Sequence, residues 1–150
     1  MKKSALLIML ILIIGLSACN VENNQDFSIK ELTTVHDIEK LGINCFNYCG
    51  YLFFSYNGAN VVAQTDADGK TLKKVEKYEM VTPDDAAFDN LEEGMTVFDL
   101  VEKVGLPKGS YTSGMISLFF ETNDGENTYT VYLEESNAVG LVIGKIVKST

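Results

Sequence analysis

The sequence contains no tryptophan, no arginine, two prolines, one histidine and three cysteines. Each shortage removes a class of function. With His36 as the single histidine, any Ser-His-Asp or Cys-His arrangement would have to pass through it, and no nucleophile-elbow motif is present. His36 falls early in a short predicted helix, where it reads as a surface residue and not as a catalytic base. Metal sites draw on clustered histidines and cysteines, which the chain lacks. Asp66, Asp68 and Asp124 raise the question of calcium, but Gly69 and Lys70 break an EF-hand loop, and hairpin turns account for the Asp-Gly pairs. Glu92, Glu93, Glu134 and Glu135 read as solvated edges. No catalysis, metal or cofactor is expected.

Basic surface is scarce as well. The twelve lysines form no stripe against twenty-one acidic residues, and the net charge is −9. Such a surface disfavours nucleic acid and anionic lipid headgroups, because phosphate recognition needs clustered positive charge.

What is present begins with an address. Lys2 and Lys3 precede an apolar run from Ala5 to Leu16, well short of the roughly 20 residues that span a bilayer. Leu16-Ser17-Ala18-Cys19 follows at once and resembles a bacterial lipobox. In signals of that kind the cysteine receives a diacylglyceryl group and the chain is cut before it. Residues 1–18 then form the signal peptide and Cys19 the lipid site. Cleavage also removes Lys2 and Lys3 and makes the charge two units more negative. The polar stretch to Asp26 completes a lipidated tether over 19–26. Attachment to a membrane on its extracytoplasmic side is expected through the lipid alone, at an outer membrane if the host has one.

Cys45 and Cys49 remain. Outside the cytoplasm they fit either a local disulfide around Phe46-Asn47-Tyr48 or two free buried thiols.

The stretch Leu91–Pro107, LEEGMTVFDLVEKVGLP, carries the densest structural signal. Gly94 suits a helix stop, Thr96 an N-cap with Asp99 three residues on, and Met95 with Leu100 a hydrophobic staple. Val97, Leu100, Val101 and Val104 follow one buried helical face, which Gly105 and Pro107 end. Upstream, Thr82 is the expected cap of a helix to Glu93, with Pro83 in its first turn. Thr34 caps a shorter helix through Asp37 and closes at Gly42. Strands are predicted over Tyr51–Tyr56, Asn60–Gln64 and Thr71–Met80, with an Asn57-Gly58 turn. Met115–Glu121, Thr128–Leu133 and Leu141–Val147 form a second meander, with Gly109–Ser113 as a short edge.

Two halves line up, 27–80 and 81–150. TVHDIEKLG matches TVFDLVEKVG with one residue inserted, and YLFFSYNG matches SLFFETNDG. The pattern GMTVFDLVEKVGLP, a strand, NDG and a strand reading TYTVYL resembles the repeat of the β-lactamase inhibitor protein and of SmpA/OmlA-type outer-membrane assembly lipoproteins. Gly94, Met95, Thr96, Val101, Gly105 and Pro107 hold the signature positions. The first half matches more loosely, through YNGANVVAQTDADGKTLKK, which looks like repeats of Gram-positive lipoproteins of this fold. The resemblance implies an α+β fold of tandem helix-loop-helix plus antiparallel β-meander repeats, with helices on one face of the sheet. It also implies a partner protein on the other face, carried here by Tyr51, Phe53, Tyr129 and Tyr132. No stretch matches the inhibitor's enzyme-blocking loops.

YLFFSY is apolar on both alternating faces. Either one face is a partner surface, since aromatics concentrate at interface cores, or both are buried by the helices and the facing repeat. The function expected is a membrane-anchored module that binds another extracytoplasmic protein. The alternatives are a lipoprotein for a small molecule or cell-wall ligand, or an inhibitor of a secreted or envelope enzyme.

Overall fold

The structure is a computed structural model that describes residues 28–111 and 114–149. The signal segment 1–18, Cys19 and the tether to residue 26 lie outside the described residues. A turn of 3₁₀-helix at Ile29–Glu31 leads into α1 (Val35–Lys40). Strands β1 (Phe46–Tyr48), β2 (Tyr51–Tyr56), β3 (Ala59–Thr65) and β4 (Leu72–Glu79) follow. Then come α2 (Asp85–Asp89), α3 (Val97–Val104), β5 (Gly109–Ser110), β6 (Ser117–Glu121), β7 (Thr128–Ser136) and β8 (Gly140–Ser149). The fold is α+β: two four-stranded antiparallel sheets, each in plain sequence order.

The helix starts are local chemistry. Thr34 caps α1 and Thr96 caps α3, each closing a capping box with the aspartate three residues on, Asp37 and Asp99. Both caps also pair with backbone at the last strand of the following sheet, just before β4 in one case and within β8 in the other. Thr34 bridges Thr71, and Thr96 bridges Val142. The edge of each sheet is thereby covered where its helix begins.

Three local expectations are corrected. The cap of α2 is Asp84, whose side chain accepts from the Ala87 N–H, and the helix ends at Asp89. Asp84 replaces Thr82 because a shorter helix places its free N–H groups two residues later. Gly94 (φ +87) therefore closes no helix, and its N–H donates to the Ile143 carbonyl at 2.7 Å instead. The segment between the cysteines is a strand. Cys49 and Gly50, at φ +49 and +80, form a two-residue turn that returns β1 onto β2.

Two apolar clusters result. Leu52, Phe54, Val61 and Ala63 on one face of the first sheet pack with Leu32 and with Ile38 of α1. The larger cluster joins the opposite face, Tyr51, Phe53 and Val62, to α2, α3 and one face of the second sheet. Val97, Leu100, Val101 and Val104 are all completely buried there. Each such side chain contributes roughly 1.5–3 kcal/mol relative to exposure. The Phe98 ring meets Tyr51 edge-on at 5.9 Å, and the Lys74 ammonium stands 3.9 Å from its centroid. The first sheet is thus covered on both faces, by α1 and by α3, and not on one face alone.

Candidate functional site

The expected aromatic partner surface does not exist as a unit. Tyr51, Phe53 and Tyr129 are 3 %, 3 % and 4 % exposed. Tyr51 and Phe53 pack toward the second half, which is why YLFFSY is apolar on both sides, and Tyr129 packs inside the second half. Burial pushes the Tyr51 phenol above its ordinary pKa. The Tyr129 hydroxyl donates to Asp85 at 2.6 Å while its ring stacks on Phe88 at 3.8 Å, nearly parallel. Lys148 and Asn127 donate to the second Asp85 oxygen, so that carboxylate ties α2 to β7 and β8. Hydrogen bonds from Lys148 and Tyr129 hold its pKa below the usual range.

Tyr132 is different. Strand register puts it in one row with Ser117 and Lys145, beside the row Phe119, Thr130 and Val147. Phe119, Tyr132, Val142 and Val147 are half-buried and join neither apolar cluster. Tyr111, 51 % exposed, sets its ring edge on Phe119 at 5.5 Å. These residues form the outer face of the second sheet, half-buried or exposed except at Ser117, which Tyr48 and Tyr111 cover completely. Only Tyr132 of the four residues expected there lies on it. Phe119 was legible as the middle residue of LFF, the counterpart of Phe53. Tyr111 lay in a stretch with no periodicity to place it.

Cys45 and Cys49 are free thiols, half-buried and exposed respectively. The extended strand between them spans about 3.3 Å per residue, roughly 13 Å over four residues. A disulfide needs Cα atoms within about 7 Å. In this conformation β1 holds the two cysteines apart and unbridged. Cys45 packs against the α1 cluster, where burial, with Glu39 adding repulsion, raises its pKa.

His36 is exposed on α1, 3.3 Å from Glu39. Asp66 and Asp68 shape a turn: the Ala67 N–H donates to Asp66, and Asp68 accepts from the Lys70 and Thr71 N–H groups. Asp124 likewise takes the Thr122 hydroxyl and the Glu126 N–H. No cluster of three or more His, Cys, Asp or Glu side chains suited to a metal occurs among the described residues. None of the described helices is long and apolar enough to cross a membrane.

A cleft of about 520 Å³ opens between the halves on the side away from the Cys49 turn. Asn60 of β3, the linker residues Met80, Val81 and Pro83, the α3 exit Leu106-Pro107 and the turn Thr122–Gly125 line it. Comparison with known proteins returns no match to a family model, to a curated protein or to a solved structure.

Proposed function

We propose that this chain is a lipid-anchored extracytoplasmic protein that works by binding another protein, and that its two halves are repeats of one unit. The Leu16–Cys19 motif supports the anchor, and the net charge supports attachment by lipid alone. The matching caps, Thr34 with Thr71 and Thr96 with Val142, support the repeat, as do the matching strands β2 and β6.

The observation that carries the binding role is the unequal fate of equivalent faces. Under the repeat, Leu52-Phe53-Phe54 corresponds to Leu118-Phe119-Phe120. Leu52 and Phe54 face α1, and Leu118 and Phe120 face α3. Phe53, on the other side, is covered by the second half, whereas among the described residues Phe119 is half-buried with the Tyr111 ring against it and no helix or sheet of the other half over it. Among the described residues the second sheet thus leaves largely open the face that the first sheet uses for packing. Phe119 and Tyr132 are residue types that interface cores favour, and Val142 and Val147 add apolar area beside them.

A photo-crosslinking residue placed at Tyr132 or Phe119 of the membrane-held protein tests this, with His36 as the control position. Discrete crosslinked species from the sheet face, and none from His36, are the expected result. Equal labelling at all three sites, or none at the sheet face, would overturn the reading.

A further inference from the structure

The cleft between the halves holds a feature that the sheet face does not explain. Asn60 is 2 % exposed, and its amide takes no part in the side-chain hydrogen bonds among the described residues. No fully enclosed side-chain atom there lacks a partner, so the Asn60 amide keeps its contact with the cleft. An accessible amide with no protein partner at the wall of a cleft is free to pair with what enters it. Its place is held from behind. A Cβ on Gly105 would stand 3.2 Å from the Val81 carbonyl oxygen and 3.4 Å from the Asn60 amide nitrogen, and Gly105 itself is at φ +80. Glycine there lets the end of α3 lie directly on Asn60 and Val81, which makes the floor of the cleft.

We infer that this cleft binds a short zwitterionic peptide, two or three residues long with one apolar side chain. A carboxamide offers a donor and an acceptor side by side, the complement of a peptide unit. Met80, Val81, Leu106 and Pro107 supply apolar wall, and Met80 is 59 % exposed with no packing role that requires it there. Lys108, Glu121 and Asp124 all line the cleft, so charge of both signs is present for the two termini. The volume of about 520 Å³ lies in the range of small-ligand sites, which occur at such junctions between units. Competing chemistries fit less well. A phosphorylated ligand would meet a single lysine and two carboxylates, and a purely apolar one would leave the Asn60 amide unpaired. The site is separate from the sheet face and stands whether or not that face binds a protein.

The test uses the full-length chain in detergent, titrated with the tripeptide Ala-Leu-Ala and followed by amide and methyl NMR shifts. Saturable shifts confined to the Asn60 amide, the Met80 methyl and the Thr122–Gly125 turn are expected. The same peptide blocked at both ends should bind about thirtyfold more weakly, the loss of one good polar contact at each of two termini. Asn60→Leu conserves volume and removes the amide, and it should abolish the shifts while the circular dichroism spectrum is kept. If Asn60→Leu does not fold, the exposed changes Met80→Ala and Lys108→Met carry the test, each with weaker binding expected. Absence of saturable shifts, or identical binding by the folded variants, would overturn the inference.

Discussion

The phenolic oxygen of Tyr51 accepts a hydrogen bond from the backbone N–H of Leu141 at 3.4 Å, across 90 residues of chain. This contact joins β2 of the first half to the β7–β8 hairpin of the second, inside the larger apolar cluster. Tyr51→Phe keeps the ring and loses the bond, which should cost about 1 kcal/mol. Tyr51→Ala also empties the site and should cost about 3–5 kcal/mol. Beside it, Gly140 sits at φ +90, and a Cβ there would stand 2.9 Å from the Tyr51 oxygen and 3.0 Å from the Gln64 amide. Gly140→Ala should therefore destabilise more than Gly58→Ala, whose Cβ would meet open space at φ +70. Urea unfolding of the four variants checks the order.

The helix caps should contribute equally. Thr96→Ala removes the hydroxyl that accepts from the Asp99 N–H, and Thr34→Ala does the same at Asp37. Each should lower stability by about 1 kcal/mol. The two losses should add, because the caps serve different sheets and share no partner. A double variant that loses far more than the sum would contradict independent caps.

Acid should weaken the fold through identified carboxylates. The Thr34 hydroxyl and nearby N–H groups hold Asp37 down to about 2, and the Thr71 hydroxyl and turn N–H groups hold Asp68 to about 2, from an ordinary 3.8. Asp85 is lowered by Lys148 and Tyr129. A carboxylate with a depressed folded pKa stabilises the fold fully above its unfolded value and loses that contribution as it is protonated. The urea midpoint should be flat above about pH 5 and fall between about pH 4 and 2. Asp68→Asn keeps the turn's shape without titrating, so its slope over that window should be shallower than that of the unaltered chain.

Cys49 stands at φ +49 in the first position of a two-residue turn before Gly50. Asparagine tolerates this left-handed geometry better than cysteine, and Asn-Gly is the favoured pair in such hairpins. Cys49→Asn should raise stability by up to about 1 kcal/mol. Thiol labelling of the folded, unreduced chain should modify Cys49 quickly and Cys45 slowly. Recovery of a Cys45–Cys49 disulfide from folded protein would contradict an extended β1.

Legibility followed the range of the forces. The caps Thr34 and Thr96, the α3 face and the Asn57-Gly58 turn (φ +48 and +70) stand where the sequence placed them, because each rests on bonds within a few residues. Phe46–Tyr48 was missed as a strand since three residues carry too little periodicity. Asp84 displaced Thr82 as a cap because both residue types serve, and packing of Phe88 against Phe120 and Tyr129 decides where the helix begins.

The candidate sites depended on tertiary structure almost entirely. Alternation showed that YLFFSY had two apolar faces but not what lay against them. Only the arrival of α3, with Phe98 on Tyr51, turned that surface into core and left Phe119 and Tyr132 outside. Asn60 gave no sequence signal, since one asparagine in a strand has no pattern. Its burial exists because Gly105 and Val81, from elsewhere in the chain, close over it. By itself the sequence determined the caps Thr34 and Thr96, the Asn57-Gly58 turn and the alternating strands, all set by neighbouring residues. Which faces are covered and which remain open was decided by contacts across tens of residues, where area burial has no local code.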